Sequence, residues 1–288
     1  MLRVVGLPTS SQLPAGGRRC CTGLTATRRQ RSQALANQGH KRNRLSVMAA
    51  GRITGKTVVV TGANRGLGLE WVRQLLAQGN SVYAAVRDPS KAKELTSLKD
   101  ARVTQLDVSN PASIQEWAKK LASQVDHIDY VINNAGVIGA YQDFEHVTAE
   151  DMLAVFQTNT IGPLLITQQL LRNRLIGSGQ KVADGPGSVI ANVTSKVGSV
   201  DDNRGGGGYA YRASKSALNN VNKSMSIDLA RRGIAAVLLH PGYVRTGMTG
   251  GNGLIDVDQA VAGMLSVLES DLPLNGHWYD YKQEAIPW

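Results

Sequence analysis

Short apolar runs alternate with segments of helical period from about residue 56 to residue 242. The first run, 57–62, is rich in β-branched residues and ends in glycine, which is typical of a buried strand. The segment 67–79 has apolar residues at helical spacing and ends at Gly79, a residue type that often terminates helices. The pattern thus begins with a strand followed by a helix.

The same alternation repeats along the chain. Further strands are predicted at 81–86, 102–108, 128–136, 187–195 and 235–242, and further helices at 91–98, 113–124, 148–176 and 211–233. Strands that alternate with helices of this length form a parallel sheet covered on both faces. The pattern therefore predicts an α/β fold, a Rossmann-type doubly wound parallel sheet in a single domain, over residues 53–288.

Charge is distributed unevenly along the 288 residues, which include 32 Lys+Arg and 22 Asp+Glu. Residues 1–52 contain ten of the basic side chains and no acidic one, so residues 53–288 hold 22 of each sign. The basic excess therefore gives no reason to expect a nucleic-acid partner. Because both cysteines, Cys20 and Cys21, precede residue 53, the domain has no thiol for a disulfide or a nucleophile. No apolar run approaches the roughly 18–20 residues of a membrane-spanning helix.

Residues 1–52 are rich in Arg, Ser, Thr, Gly and Ala, a composition typical of an organelle transit peptide. The segment 47–50, VMAA, resembles the small-residue sites at which chloroplast import peptides are cut. We therefore predict a disordered, transit-peptide-like leader and a chloroplast location, with the mitochondrion as an alternative. If translation starts at Met48, the protein would instead stay in the cytoplasm.

Three glycines, Gly62, Gly66 and Gly68, lie where the chain turns from the first predicted strand into the first helix. Glycines at this place permit a tight turn and let backbone N–H groups approach a pyrophosphate at the helix N-terminus. Their spacing, Gly-x-x-x-Gly-x-Gly, differs from the usual dinucleotide fingerprint. Taken alone, the three glycines are equally compatible with a purely structural turn.

The string TGANRGLG at 61–68 resembles the glycine motif of short-chain dehydrogenases/reductases, and further motifs of that family follow in the same order. They are NNAG at 133–136, the Tyr-x-x-x-Lys pair of Tyr211 and Lys215, and PGYVRT at 241–246. The chain is therefore identified as a member of this family over about 236 residues. The strings YRASKSALN and YDYKQEAIPW are most similar to its carbonyl-reductase-like branch, which includes the C-factor and sniffer groups.

The resemblance implies a dinucleotide site formed by residues from each motif. The candidates are Gly62, Asn64, Arg65, Gly66, Leu67, Gly68, Arg87, Asp107, Val108, Asn134, Ala135, Gly136, Tyr211, Lys215, Val244 and Thr246. The second predicted strand ends at Val86 and is followed by Arg87, without the acid that would bind the ribose hydroxyls of NAD. A guanidinium suits a 2′-phosphate instead, and Arg65 supplies a second cation. The sequence predicts NADP(H), with a surface role for Arg87 as the alternative.

The predicted catalytic group comprises Tyr211, Lys215, Ser195 and Asn159. Tyr211 and Lys215 share one helix face. An ammonium about 4 Å from the phenol at an effective dielectric of about 20 would lower the tyrosine pKa by about 3 units. We therefore expect Tyr211 to act as an acid or base near neutral pH. The resemblance implies that Ser195 orients the substrate carbonyl, that Lys215 binds the nicotinamide ribose and that Asn159 holds a water near Lys215.

The spacing of Ser195 departs from the family pattern. Ser195 lies sixteen residues before Tyr211, where relatives often have thirteen, and Gly198 occupies the thirteen-residue position. We attribute the excess to an inserted loop, 201–208, and Thr194 is the alternative hydroxyl. Tyr209 is not an alternative to Tyr211, because the residue four positions later is Ala213.

Together these motifs predict an NADP(H)-dependent oxidoreductase that reduces the carbonyl of small aldehydes or ketones, with Tyr211 as proton donor. One alternative is an NADP(H)-binding regulator or scaffold on the same fold, and another is a biosynthetic reductase for one particular ketone. The partners expected are a small-molecule substrate and a second copy of the chain, in a dimer or tetramer. No metal is expected, and the segment 247–253, with four glycines, is a predicted lid.

Overall fold

The computed structural model describes residues 52–177 and 187–288. Within these ranges the strands are β1 Thr57–Thr61, β2 Ser81–Val86, β3 Arg102–Gln105, β4 Tyr130–Asn133, β5 Ser188–Val193, β6 Ile234–His240 and β7 Trp278–Asp280. The predicted leader, apart from Arg52, lies outside the described residues. The transit peptide and the chloroplast location therefore stay predictions from the sequence.

All neighbouring strands in the sheet pair in parallel. Their order is β3-β2-β1-β4-β5-β6-β7, so the chain winds outward first to one side of β1 and then to the other. The order reverses between β1 and β4. In open α/β sheets a crevice for ligands forms at such a point, beyond the carboxyl ends of the strands.

Helices cover both faces of this sheet. They are α1 Gly66–Ala77, α2 Lys93–Thr96, α3 Pro111–Leu121, α4 Ala149–Phe156, α5 Gly162–Arg172, α6 Tyr209–Asp228 and α7 Val257–Leu268. A five-residue π-helical turn, Gln157–Ile161, joins α4 to α5, so the single helix predicted at 148–176 is in fact interrupted. None of the helices in the described ranges is long and apolar enough to cross a bilayer.

Alternating residues of β1 show how the core is divided. Val58 and Val60 are fully buried in an apolar cluster with side chains of α1 and α7, whereas Val59 is fully buried in a second cluster with side chains of α3 and α5. Successive side chains of a strand point to opposite faces, so β1 has an apolar layer on each side. The predicted doubly wound parallel sheet is confirmed.

Candidate active site

The glycine turn between β1 and α1 is formed by backbone contacts that exclude a side chain. Gly62 and Gly66 have φ angles of 65° and 53°. A Cβ built on Gly68 would lie 2.1 Å from the carbonyl oxygen of Gly62, and one built on Gly62 would lie 2.9 Å from the Cα of Ala135. The side chain of Arg65, the N-cap residue of α1, accepts no hydrogen bond from the helix, so the first N–H groups of this helix can donate to a phosphate.

The residues after β4 are hydrogen-bonded to the glycine turn. The backbone N–H groups of Asn134 and Ala135 donate to Thr61 Oγ1, each over 3.1 Å. Asn134 Nδ2 donates to the carbonyl oxygens of Thr61 and Gly62, over 3.0 and 3.3 Å. Asn134 and Ala135 therefore fix the shape of the turn.

A chain of buried amides, absent from the sequence predictions, joins the strands to the helix that carries Tyr211. Asn133 Nδ2 donates to Asn192 Oδ1 over 2.8 Å, and Asn192 Nδ2 donates to Asn222 Oδ1 over 2.8 Å. All three residues are at most 2% exposed. Three polar residues inside otherwise apolar elements are the sequence signal that could have revealed this chain, since buried amides must find partners.

Ser195 and Tyr211 meet despite their sixteen-residue separation. Ser195 follows β5, Tyr211 lies in the first turn of α6, and the two side chains are close enough for the Ser195 hydroxyl to act on the pKa of the phenol. Thr194 Oγ1 instead donates to Asn219 Oδ1 over 2.7 Å, in a site where Thr194 is 2% exposed. This bond turns the Thr194 hydroxyl toward Asn219, which favours Ser195 over Thr194 as the hydroxyl beside Tyr211.

Lys215 lies one helical turn beyond Tyr211 and is almost completely buried. Its Nζ donates to the carbonyl oxygen of Val193 over 2.9 Å and lies 5.7 Å from the centre of the Tyr211 ring. Burial lowers the pKa of Lys215 to about 8, so the ammonium form prevails at neutral pH.

The expectation that Lys215 lowers the pKa of Tyr211 is wrong for this structure. Burial raises the pKa of the phenol above its ordinary value, and the nearby Ser195 hydroxyl offsets this only in part. The desolvated phenolate is disfavoured, and the ammonium is hydrogen-bonded to a backbone carbonyl instead of the phenol oxygen. Tyr211 therefore keeps its proton at neutral pH, as a proton donor must.

Asn159 lies in the π-helical turn between α4 and α5 and joins the loop after β4 to α6. Its Oδ1 accepts from the N–H of Val137 over 2.9 Å, and its Nδ2 donates to Val137 O over 2.8 Å and to Ser214 Oγ over 3.0 Å. A Cβ built on Gly136 would lie 3.4 Å from Asn159 Oδ1 and 3.8 Å from Lys215 Nζ. Asn159 and Gly136 are thus next to Lys215, whereas the water expected at Asn159 stays a prediction.

Gly162, which follows this turn, packs closely against the backbone of Val108. A Cβ on Gly162 would lie 2.6 Å from the carbonyl oxygen of Val108, so the backbone after β3 passes directly against the start of α5. Nearby, Asp107 Oδ1 accepts from the N–H and the hydroxyl of Ser109, over 2.9 and 2.6 Å. These contacts fix Asp107 and Val108 at the carboxyl edge of the sheet, on the side where an adenine is expected.

Two arginines are available for an anion near the glycine turn. Arg65 and Arg87 are both exposed, and neither guanidinium makes an ion pair or hydrogen bond with another described residue. Arg65 Nη1 would lie 3.7 Å from a Cβ on Gly247, and a Cβ on Gly66 would lie 3.9 Å from the Thr246 methyl group. The segment after β6 therefore closes against the glycine turn.

The predicted lid has hydrogen-bonded structure of its own. Thr246 caps a short 3₁₀ turn, Gly247–Thr249, and Val244 is 4% exposed. Arg245 donates to Gly253 O over 2.9 Å and pairs with Asp256 over 2.7 Å.

The remaining candidates of the glycine turn are Asn64, which is exposed, and Leu67, which is half-buried. Among the described residues no cluster of side chains is suited to a metal ion.

Comparison with known proteins identifies the family of this chain. The family model described as short chain dehydrogenase matches residues 56–253. The C-signal protein of Myxococcus xanthus is 40% identical over 162 residues, which are 56% of this chain and 93% of that protein. The 1-hydroxy-2-glutathionyl-2-methyl-3-butene dehydrogenase of Rhodococcus sp. strain AD45 is 31% identical over 225 residues, 75% of this chain and 92% of the relative.

Solved structures agree in fold over about four fifths of the chain. An NADPH-bound carbonyl reductase from chicken fatty liver is 34% identical with a TM-score of 0.73, covering 82% of this chain and 100% of the relative. The carbonyl reductase Sniffer of Drosophila melanogaster is 29% identical with a TM-score of 0.75 and the same coverage. A Burkholderia multivorans short-chain dehydrogenase/reductase with bound NADP is 28% identical with a TM-score of 0.70, covering 81% and 99%.

Proposed function

The chain belongs to the short-chain dehydrogenase family of oxidoreductases, and from this premise we propose that it is an NADP(H)-dependent reductase of small aldehydes and ketones. The main support for this proposal is the arrangement of three side chains near the glycine turn. The neighbouring side chains of Ser195 and Tyr211, with Lys215 beside the tyrosine ring, lie at the edge of the sheet where the glycine turn also lies. The structures of relatives with bound NADPH and NADP support the choice of cofactor.

Tyr211, Ser195 and Lys215 each have a separate role in the proposed carbonyl reduction. Tyr211 holds a proton that burial keeps on the phenol, and it donates this proton to the carbonyl oxygen. Ser195 donates a hydrogen bond to the same oxygen and stabilises the negative charge that develops there. We assign Lys215, one helical turn beyond Tyr211, to the nicotinamide ribose, as the family resemblance implies. Bound NADPH supplies the hydride for the carbonyl carbon.

The residues present fit a dinucleotide with a 2′-phosphate. The uncapped N-terminus of α1 suits the pyrophosphate, and the guanidinium groups of Arg65 and Arg87, which pair with none of the described residues, suit the 2′-phosphate. Asp107, fixed by Ser109, keeps its second carboxylate oxygen for the adenine amino group.

Replacement of Arg87 by aspartate should change cofactor preference. Arg87→Asp is expected to raise the KM for NADPH by about 10–100-fold, because a charge-assisted hydrogen bond is lost and a repulsive carboxylate is gained. The KM for NADH should change by less than about threefold, since NADH has no 2′-phosphate. Steady-state kinetics with both cofactors measures the ratio. Lys119→Asp on the exposed face of α3 makes the same change in net charge and is the control. Equal effects on both cofactors would exclude a contact with the phosphate.

The two neighbouring hydroxyls should separate catalysis from stability. Ser195→Ala is expected to lower kcat by about 100-fold, because a donor to the developing oxyanion is lost, with little change in melting temperature. Thr194→Val should leave kcat within about threefold but lower the free energy of unfolding by about 1–3 kcal/mol, because Asn219 Oδ1 loses its buried partner. Kinetics and thermal unfolding of both variants test the assignment. It fails if Thr194→Val is the variant that loses turnover.

The function itself is tested by NADPH oxidation with the full chain. A panel of small aldehydes, quinones and diketones is offered with NADPH and, as the control, with NADH. NADPH-dependent consumption of at least one carbonyl is the expected result. Tight NADPH binding without reduction of any carbonyl would favour the regulator alternative, which the similarity to a protein named C-signal also supports. The intact pair of Ser195 and Tyr211 favours the reductase.

We also propose that the chain associates with further copies of itself. Leu153 is 70% exposed and lies on α4, the helix that precedes Asn159. Ile227 is 64% exposed and lies on α6, the helix that carries Tyr211. Exposed apolar side chains of this kind support the expected homodimer or homotetramer through these helices.

A further inference from the structure

A pocket lies between the segment 197–207 and the first two turns of α6. Its volume is about 250 Å³. The residues of α6 that line it, at positions 209, 212, 213 and 216, have the spacing of a single helix face. Tyr211, Lys215, Ser195 and Asn159 do not line it. The lining residues are Val197, Ser199, Val200, Asn203, Gly206, Gly207, Tyr209, Arg212, Ala213 and Ser216.

Arg212 gives this pocket a positive charge. Its guanidinium makes one long hydrogen bond, from Nη1 to Val197 O over 3.5 Å, and no ion pair with another described residue. No Asp or Glu lines the pocket. The nearest acidic segment, 201–202, contributes Asp202, which pairs with Lys196 over 3.5 Å. Most N–H groups of the half-buried Arg212 guanidinium are therefore available to bind an anion.

Ser199 supplies an independent sign of a ligand. It is 2% exposed, and its hydroxyl oxygen is buried without a hydrogen-bond partner. Buried polar groups in proteins are almost always hydrogen-bonded, so this hydroxyl at the wall of the pocket still has a hydrogen bond to make. The hydroxyl of Ser216, in contrast, is already hydrogen-bonded to Gly198 O over 2.7 Å.

We propose that this pocket binds a small organic carboxylate, at a site separate from the catalytic group. The planar guanidinium of Arg212 matches a carboxylate in bidentate fashion, and the Ser199 hydroxyl donates to it. The short apolar part of the ligand packs against Val197, Val200 and Ala213. The segment that lines the pocket begins at the turn after Ser195, so a bound ligand contacts the connection between Ser195 and Tyr211.

Calorimetric titration of the full chain with benzoate, in the absence of NADPH, tests this site. Benzamide has the same shape without the charge and is the matched ligand control. We expect one benzoate per chain, binding at least about tenfold tighter than benzamide. Arg212→Gln should weaken benzoate binding by about tenfold or more, and Ser199→Ala should weaken it by a few fold.

Two further variants keep the result interpretable. Tyr211→Phe should bind benzoate as well as the wild type does, which separates this pocket from the substrate site. Arg212→Lys keeps the charge but loses the bidentate fork, so it should bind with intermediate affinity. Thermal unfolding checks that each variant is folded. Equal binding of benzoate and benzamide, no binding up to about 10 mM, or loss of binding in Tyr211→Phe with retention in Arg212→Gln would overturn the proposal. None of these outcomes depends on turnover.

Discussion

Tyr211→Phe is expected to lower kcat for carbonyl reduction by about 1,000-fold, with less than about a threefold change in the dissociation constant of NADPH. The phenol is the group that holds a proton beside Ser195, and phenylalanine has nothing to donate. The ring that lies 5.7 Å from Lys215 Nζ is kept, so the packing around the buried ammonium is preserved. Steady-state kinetics and NADPH fluorescence titration measure the two quantities separately.

Tyr209→Phe is the matched control for this change. Tyr209 lies in the same first turn of α6, is 38% exposed and has Ala213 where a lysine would be needed. Its loss of a hydroxyl should leave kcat within about threefold. Substantial turnover by Tyr211→Phe, or an equal loss in Tyr209→Phe, would contradict the assignment of Tyr211 as proton donor.

Gly68→Ala should weaken NADPH binding by about 100-fold or more and lower the free energy of unfolding by about 1–3 kcal/mol or more. The added methyl group would lie 2.1 Å from Gly62 O and 2.6 Å from Asn134 Nδ2. The backbone of the glycine turn would have to move, and the N–H groups of the turn and of α1 would then no longer converge on a phosphate. Fluorescence titration and thermal unfolding measure the two effects.

Gly205→Ala provides the control for glycine replacement. A Cβ at Gly205 meets no atom within 4 Å, so this variant should match the wild type in both measurements. If Gly68→Ala bound NADPH normally, the glycine turn could not be the phosphate site, whatever its effect on stability.

The central strands could be predicted from the sequence because a parallel sheet buries both faces of each strand. β1 and β2 are continuous apolar runs, and their observed bounds differ from the prediction by at most one residue. The predicted ends at 108, 136 and 242 extend past the observed ends at Gln105, Asn133 and His240. The residues beyond these ends leave the sheet and form the site.

Features that depend on tertiary contacts were harder to predict. The interruption of the helix at 157–161 and the approach of Gly162 to Val108 depend on a segment about fifty residues earlier in the chain. The final α7 and β7 were absent from the predictions, although Asp256 and Gln259 form a capping box at the start of α7. A β7 of three residues is too short to give a sequence pattern of its own.

For the site, too, the types of the residues could be predicted from the sequence, whereas their surroundings could not. The motifs identified Tyr211, Lys215 and Ser195, because their side chains have to be of these types. The direction of the pKa shift of Tyr211 depends on its burial and on the bond of Lys215 to Val193, which four-residue spacing does not reveal. The choice between Ser195 and Thr194 required the buried partner Asn219.

Transfer of deuterium from NADPH tests the central claim most directly. The full chain is incubated with NADPH deuterated at the nicotinamide C4 position and with the aldehyde or ketone that the panel identifies, and the alcohol is analysed by mass spectrometry. An NADP(H)-dependent carbonyl reductase places one deuterium on the former carbonyl carbon, from one face of the nicotinamide, and Tyr211→Phe does so at a greatly reduced rate. NADPH that binds tightly while no deuterium reaches any carbonyl product would contradict the account.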